Sequence, residues 1–303
     1  MGLGKVIVTG ACGFLGTRIC LAFADAGHRI IGLDRVAKGG AGIADYRQVD
    51  LPSGAFGDVL AAEQPSLVIH AAGPASVAGS VAGPLADFEG SVRIHAHVLD
   101  AVRRNAPEAR VITLSSAAVY GNPQSLPIAE DSILAPISPY GYHKVLCETL
   151  LKEYYTVYGV QSAALRIFSA YGAGLRRQLL WDVCEKATAG EVRLFGTGEE
   201  TRDFIHADDV ARACLAIAEG APMHGEPYNV ASGDETTVRE VAERLVGEIA
   251  QGLPIHFTGE VRLGDPLRWQ ADISSVRALG FQPRVSLAEG VADYATWYES
   301  LRG

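Results

Sequence analysis

Cysteine is scarce and scattered, five residues in 303 at Cys12, Cys20, Cys147, Cys184 and Cys214. No two stand in a C-x-x-C spacing or at metal-ligand intervals, and an odd, dispersed set excludes a disulfide framework. Free thiols of this kind behave as small core hydrophobes, and no metal is expected. Positive charge is also in deficit. Against 35 Asp and Glu there are 26 Lys and Arg, a formal charge of −9, which removes the basic face that general nucleic-acid or membrane-surface binding requires. A few local Arg residues could still reverse the field inside one cleft. No apolar run approaches the ~18 residues of a membrane-crossing helix. The first residues lead straight into a strand pattern without the apolar stretch of an export signal, so a cytoplasmic location is expected. Internal repeats and low-complexity tracts are missing, the Ala- and Gly-rich 71–83 being the nearest approach.

What is present is a globular composition, 48% apolar and 20% charged, the reverse of the balance that leaves chains disordered. The length predicts one large domain with a smaller one attached. In the first half, short β-branched runs alternate with helical patterns. Lys5–Thr9, Arg29–Asp34, Leu67–His70 and Arg110–Ser115 read as strands apolar on both faces, as parallel strands covered by helices must be. Helical patterns fill Phe14–Ala26, Phe56–Glu63, Leu85–Asn105 and Tyr140–Tyr158, and Ser162–Phe168 reads as a further strand. Such repetition with right-handed crossovers predicts an α/β fold, a doubly wound parallel sheet. After Tyr171 Gly and Pro become frequent and the segments shorten. We therefore expect a dinucleotide-binding domain over 1–171, with later segments returning to it, and a smaller α/β substrate-binding lobe mainly over 172–303.

Gly10-Ala-Cys-Gly13-Phe14-Leu15-Gly16 follows the first strand and opens a helix. Glycines there let the backbone turn sharply and approach a pyrophosphate, which then sits on the free N–H groups of the helix start. The spacing is G-x-x-G-x-x-G, not the commoner G-x-G-x-x-G. Asp34 ends the second strand, where a carboxylate accepts from ribose hydroxyls and repels a 2′-phosphate, pointing to NAD over NADP. Arg35, next in sequence, is the counter-argument, since Arg there can pair with that phosphate. Asp50 and Leu51, after the third strand, are a candidate adenine contact or an ordinary loop.

Tyr140-Gly-Tyr-His-Lys144 places two side chains on one helix face, a turn apart. An ammonium beside a phenol favours the phenolate, which can take or return a hydroxyl proton. Tyr142 points elsewhere and reads as structural. Ser115 and Ser116 end a strand, and the carboxyl ends of strands are where open α/β sheets bind ligands. Alone, each of these motifs is equally an ordinary surface pair or strand end.

In order and interval, the glycine turn, His70-Ala71-Ala72-Gly73, Ser115-Ser116-x-x-Val-Tyr120-Gly121 and Ser138-Pro-Tyr140-Gly-x-x-Lys144-x-x-x-Glu148 form one series. It continues through Leu165-Arg-Ile-Phe-Ser169-Ala-Tyr171-Gly172, Phe195-Gly-Thr-Gly-x-x-x-Arg202-Asp203-Phe-Ile-His206, Tyr228-Asn229-Val-Ala-Ser-Gly233 and Arg262-x-Gly-Asp265. The series resembles the extended short-chain dehydrogenase/reductase family, specifically its NAD-dependent nucleotide-sugar epimerases and dehydratases, over nearly the whole chain. The resemblance implies a Rossmann-type fold with bound NAD. It implies Ser116 as catalytic hydroxyl, Tyr140 as base and Lys144 as its partner, with Ala71, Ala72 and Gly73 along the cofactor. Family 4,6-dehydratases carry Asp and Glu after the Ser or Thr, and the decarboxylases a Glu at the second position. Ala117 and Ala118 stand there in this chain, so the resemblance narrows to 4-epimerisation through a transient 4-keto sugar. A keto-sugar reductase is the alternative, and a non-catalytic NAD-binding regulator a lesser one, because Tyr140 and Lys144 are both kept.

For the substrate, the resemblance implies a nucleotide sugar, with UDP the commonest family ligand. Arg202 and Arg262 would pair bidentately with its phosphates, Phe195 would line the base pocket, and Ser76, Ser169 and Asp265 would face the sugar or phosphate. Ser169 replaces the family's frequent Asn. Arg176 lies where uronate-using relatives meet a carboxylate, whereas the bulk of Trp269 disfavours an N-acetyl group. His206, Asp208 and Asp209 read as ordering a turn. Relatives dimerise through the two long helices; Val92, Ala96 and Leu99, with Leu146, Leu150 and Leu151, recur at helical spacing here, which core packing explains equally well. A homodimer is expected from the resemblance alone.

Overall fold

The computed structural model describes residues 4–260, 264 and 266–302. Seven parallel strands form one sheet in the spatial order His224–Val230, Ser162–Ile167, Arg110–Ser116, Leu67–His70, Lys5–Thr9, Arg29–Asp34, Asp45–Gln48. Chain order reverses at the Lys5–Thr9 strand, which pairs with Arg29–Leu33 on one edge and Leu67–His70 on the other. The crevice at such a reversal is where open α/β sheets hold ligands.

The pleat sorts the apolar runs onto two faces. Val6, Val8, Ile30, Leu67, Ile69 and Ile112 join one core with residues of the Phe14–Asp25 and Ala207–Gly220 helices. Ile7, Ile31, Leu33, Val68 and Val111 join the other, under the Gly54–Glu63, Ile94–Asn105 and Pro139–Tyr158 helices. Both strand faces are buried, which is why no alternation shows in the sequence. A third core belongs to the C-terminal part, where Leu180, Val183, Leu245, Val246, Val291, Tyr294 and Tyr298 pack three helices, Gln178–Thr188, Val238–Ile249 and Leu287–Ser300. Residues 207–230 return to the main sheet as a helix and its edge strand.

One predicted helix differs. The 85–105 pattern is not a single regular helix but Pro84–Phe88, a π-helical turn over Glu89–Arg93, then Ile94–Asn105. The wide turn coincides with Ser91, whose hydroxyl donates to the Asp87 carbonyl four residues back at 2.5 Å. Such back-bonding by Ser perturbs helical geometry, and π-turns concentrate beside functional sites.

Candidate active site

The glycine turn is built by close approach. Gly10 has φ +67°, and a Cβ there would stand 2.7 Å from the Ala72 nitrogen. A Cβ on Gly16 would stand 2.0 Å from the Gly10 carbonyl oxygen. The Phe14–Asp25 helix therefore starts directly against the strand end. Its cap, Gly13, contributes no side-chain hydrogen bond, leaving the first-turn N–H groups to an anion. Asp34 reaches across to this turn, accepting from the Cys12 N–H at 2.9 Å and from the Arg35 N–H at 2.8 Å. These features fit a dinucleotide: a cradle that side chains would fill, an uncapped helix start, and a carboxylate fixed beside it. We expect Gly16→Ala to lose co-purifying dinucleotide and to cost ~1–3 kcal/mol by overpacking. Gly13→Ala, whose Cβ meets the Gly10 oxygen at 3.1 Å, should lose less; cofactor released from each purified variant is the readout.

From this turn a cleft of about 1020 Å³ runs along the carboxyl ends of the strands. Gly13, Phe14, Leu15 and Gly16 line one end, with Ala71, Ala72 and Gly73 beside them, and Ser116, Tyr140 and Lys144 face its middle. Ser76, Ser169, Arg176, Phe195, Arg202 and Trp269 line it as well. Asp34, Arg35, Asp50 and Leu51 lie outside the cleft walls, beyond the glycine turn; Arg35 and Asp50 are exposed. The third strand ends at Gln48, so Asp50 and Leu51 follow it by a short step. Arg262 and Asp265 fall outside the described residues.

Local folding explains how the central three meet. Ser138 caps the Pro139–Tyr158 helix by accepting from the Gly141 N–H, and Pro139 occupies its first turn, a position suited to Pro. Gly141 lets that helix press onto the turn after Ser116, since a Cβ there would stand 2.5 Å from the Ala118 oxygen. Ser116 Oγ accepts from the Ala118 N–H at 3.2 Å. Lys144 Nζ donates to the Leu114 carbonyl at 2.8 Å and lies 5.6 Å from the centroid of the Tyr140 ring. The Tyr140 N–H donates to Ser80 Oγ at 3.0 Å, and Ser80 is fully buried. Ser80 is a support that the sequence did not reveal; a lone Ser in an Ala-rich stretch carries no signal. Gly141 did carry one, because Gly in a helical first turn is unfavourable unless something approaches closely.

Behind the site, Glu148 accepts from Arg166 Nη2 at 2.8 Å and from Ser115 Oγ at 2.5 Å. Arg166 Nη1 donates to Tyr120 Oη and to the Glu130 carbonyl, and Tyr120 donates to Asn229 Oδ1. The Trp269 indole N–H donates to the Gly121 carbonyl at 2.9 Å, fixing its ring as a wall of the cleft. The Arg202 guanidinium lies 5.8 Å from that ring's centroid. Arg176 rests 6.0 Å from the ring centroids of both Trp181 and Trp297. Ser76, exposed, uses its oxygen to cap the Val77–Ala82 helix. His206 caps the Ala207–Gly220 helix, and Asp209 accepts from the Arg284 and Val285 N–H groups. Among the described residues, no group of three or more His, Cys, Asp or Glu could hold a metal ion.

Two buried imidazoles line the same cleft. His70 Nδ1 bonds Thr9 Oγ1 at 2.8 Å, and the His70 and His95 rings stack at 5.5 Å. Burial, helped by the charge of Lys144, pushes His70 down to about 3, and burial pushes His95 the same way. Both are thus neutral in the folded protein, whereas an unfolded His protonates below ~6.5. The unfolded state then binds more protons, so stability should fall as pH drops from ~6.5 towards 3, by up to ~1.4 kcal/mol per pH unit per His. Above ~6.5 these groups contribute no slope. Denaturation midpoints across this range check it; His70→Gln should flatten the loss, and an unchanged slope would refute it.

Comparison with known proteins places these features. A family model described as the NAD dependent epimerase/dehydratase family matches residues 6–231. A UDP-glucose 4-epimerase of Mycolicibacterium smegmatis is 30% identical over 98% of this chain and 99% of its own. Among solved structures, a UDP-glucose 4-epimerase from Thermotoga maritima with UDP-glucose superposes with TM-score 0.89 at 26% identity, covering 99% of this chain and 100% of that one. A UDP-N-acetylglucosamine 4-epimerase from Methanobrevibacter ruminantium, in complex with UDP-N-acetylmuramic acid, gives TM-score 0.89 at 28% identity over 99% and 100%.

Proposed function

We propose, from the premise that the chain belongs to the NAD dependent epimerase/dehydratase family, that it is an NAD-dependent 4-epimerase of a UDP-hexose or UDP-hexuronate. The observation that carries this reading is the composition of the cleft's middle. Ser116, Tyr140 and Lys144 line it, while the two positions after Ser116 are Ala117 and Ala118, without acid or base. Elimination of water or loss of carbon dioxide needs a further proton-transfer group there; inversion at C4 does not.

NAD, when bound, supplies a hydride acceptor and donor for C4. Tyr140 takes the C4 hydroxyl proton and later returns it. Lys144, tied to the Leu114 carbonyl, keeps a positive charge beside that phenol. Ser116 donates to the C4 oxygen as it becomes a carbonyl. Arg202 and Arg262 pair with the diphosphate, Phe195 covers the base, and Ser169 and Asp265 contact sugar or phosphate. Asp34, beyond the glycine turn, takes the adenosine ribose. Trp269, fixed by the Gly121 carbonyl, is the bulk that favours a hexose without an N-acetyl group in this reading. Arg176 is the residue that would meet the carboxylate of a uronate.

Self-association follows from the outer face of the long helix. Tyr142 (58% exposed), Leu146 (43%) and Val157 (63%) lie along one stripe of the Pro139–Tyr158 helix, and Leu85 and Phe88 are exposed close by in sequence to its helical neighbour. Leu99 and Leu151 are instead core. A homodimer covering that stripe is our reading, and Leu146→Glu should yield monomers by light scattering. No described helix is long and apolar enough to cross a membrane, and we place the enzyme in the cytoplasm. We take the 207–230 return as part of the dinucleotide-binding domain, the remainder after 172 as the substrate lobe.

The deciding experiment incubates purified protein with UDP-glucose, UDP-galactose, UDP-glucuronate and their N-acetyl counterparts without added cofactor. Appearance of the C4 epimer of one of them is expected, and names the sugar. Consumption of NAD(P)H with 4-keto sugars, without epimer formation, would replace this reading with a reductase.

A further inference from the structure

Between the Ser169–Tyr171 strand and the Gln178–Thr188 helix, the chain runs through 172–177 without regular structure. Gly172 (φ +145°) and Gly174 (φ +103°) give this segment backbone freedom. Gln178, which ends it, is held at φ +67°, a left-handed conformation unfavourable for a residue with a side chain. Such a conformation persists only where the surroundings enforce it. Leu175, Arg176, Arg177 and Gln178 all line the cleft. The placement of a segment with little shape of its own therefore decides a stretch of the cleft wall.

Two side chains, one from each side, fix that placement. Tyr294, on the Leu287–Ser300 helix of the C-terminal part, donates to the Leu175 carbonyl at 2.6 Å. From the other side comes Arg18, on the Phe14–Asp25 helix that begins at the glycine turn. Its Nη2 donates to the Ala173 carbonyl at 3.0 Å, across 155 residues of sequence. Its Nη1 lies 3.3 Å from Asp208 Oδ1, in the first turn of the Ala207–Gly220 helix. Phe14 supports the same segment, since a Cβ on Gly174 would stand 3.8 Å from its ring. The helix that opens at the glycine turn is thus also the abutment of the 172–177 segment.

Arginine fits this post because its rigid fork directs separate N–H groups at a carbonyl and a carboxylate together, whereas a Lys ammonium is a point charge on a flexible stem. The side chains of Arg18 and Asp208 are 27% and 40% exposed, and ion pairs of that kind contribute little by themselves. Asp208 orients the guanidinium; the bond to Ala173 is the one that bears on the cleft.

We propose that Arg18 is a positioning residue for the substrate, holding the 172–177 segment against the helix of the glycine turn so that the cofactor and substrate walls of the cleft keep one spacing. Arg18 does not itself line the cleft. Ser116, Tyr140 and Lys144 stand on other elements, so the residue governs substrate binding and not the chemical step. The proposal rests on the epimerase reading only for the identity of the substrate; the anchoring of the segment does not depend on it.

Two readouts on the whole protein test this. Arg176 and Arg177 make the segment a trypsin site, and limited digestion follows the population of the opened form when opening is fast relative to cleavage. Arg18→Met should speed cleavage there about tenfold, the smaller end of what a hydrogen bond from a charged donor is worth. Its global unfolding midpoint and co-purified dinucleotide should stay near those of the parent. In turnover the same variant should raise KM about tenfold, for the same lost bond, and leave kcat nearly unchanged. Asp208→Asn, which removes only the ion pair, should move either readout by less than about twofold. Unchanged cleavage in Arg18→Met overturns the anchoring. Faster cleavage with KM unchanged, or kcat falling in step with the folded fraction, overturns the positioning role. An equal effect of Asp208→Asn also overturns it, because the charge at the junction and not the Ala173 bond would then be responsible. Absence of turnover in the parent protein would sink the epimerase reading, while the cleavage arm still decides the anchoring.

Discussion

Tyr140→Phe should reduce epimerisation by roughly 10²- to 10⁴-fold, the span a positioned acid–base group contributes, with KM and cofactor content little changed. The substitution removes one oxygen and leaves the ring, so the ground for a selective effect is geometric. Tyr140 is 9% exposed and packs in the main core. Its backbone N–H is held by Ser80, and the cap at Ser138 and the close contact at Gly141 fix the helix start irrespective of the phenol oxygen. The fold and glycine turn therefore survive, and the lost proton acceptor is the whole change. Lys144→Met should cost a comparable factor, but by a second route as well, because the Leu114 carbonyl loses its donor. The check is turnover measured with bound NAD quantified in the same preparation. Tyr140→Phe with undiminished turnover would remove Tyr140 from the chemistry and demand another base on the cleft wall.

Legibility followed the range of the interaction concerned. The glycine turn was readable because its parts lie within seven residues, and the crowding of Gly16 against Gly10 is local. The Tyr140–Lys144 pair was readable because one helical turn connects them. The strands were readable as buried runs, but their order in the sheet is a tertiary relation that the runs do not carry. Tertiary relations were not readable. Nothing in an Ala-rich segment announces that Ser80 will anchor the Tyr140 backbone, since 60 residues separate the two. The π-turn escaped because helical periodicity continues on both sides of Glu89–Arg93. Nor was it readable that the Asp34 carboxylate, accepting from the Cys12 and Arg35 N–H groups, ties the second strand to the glycine turn.

The largest effect on stability should come from Arg166. Its side chain is 5% exposed, that of Glu148 11%, and the guanidinium gives Nε and Nη2 to Glu148 and Nη1 to Tyr120 and Glu130. Taking two charges out of water is costly, and their mutual attraction offsets that cost only while both are present. Arg166→Ala leaves Glu148 buried without its counter-ion and should destabilise the fold by ~3–5 kcal/mol. The paired replacement Arg166→Met with Glu148→Leu removes both charges at similar volume and should recover most of that loss. Full recovery is not expected, because Ser115 and Tyr120 each lose a partner worth ~1 kcal/mol. The network joins four elements that shape the cleft: Ser115 on the strand that carries Ser116, Glu148 on the helix of Tyr140 and Lys144, Arg166 itself, and Asn229 through Tyr120. Turnover in the single variant should therefore fall further than the folded fraction does, and in the double variant it should recover less than stability. Urea denaturation alongside kcat separates these outcomes. A cost below ~1 kcal/mol for Arg166→Ala, the range of an exposed ion pair, would mean that water reaches Glu148 and that the cleft's rear wall is open.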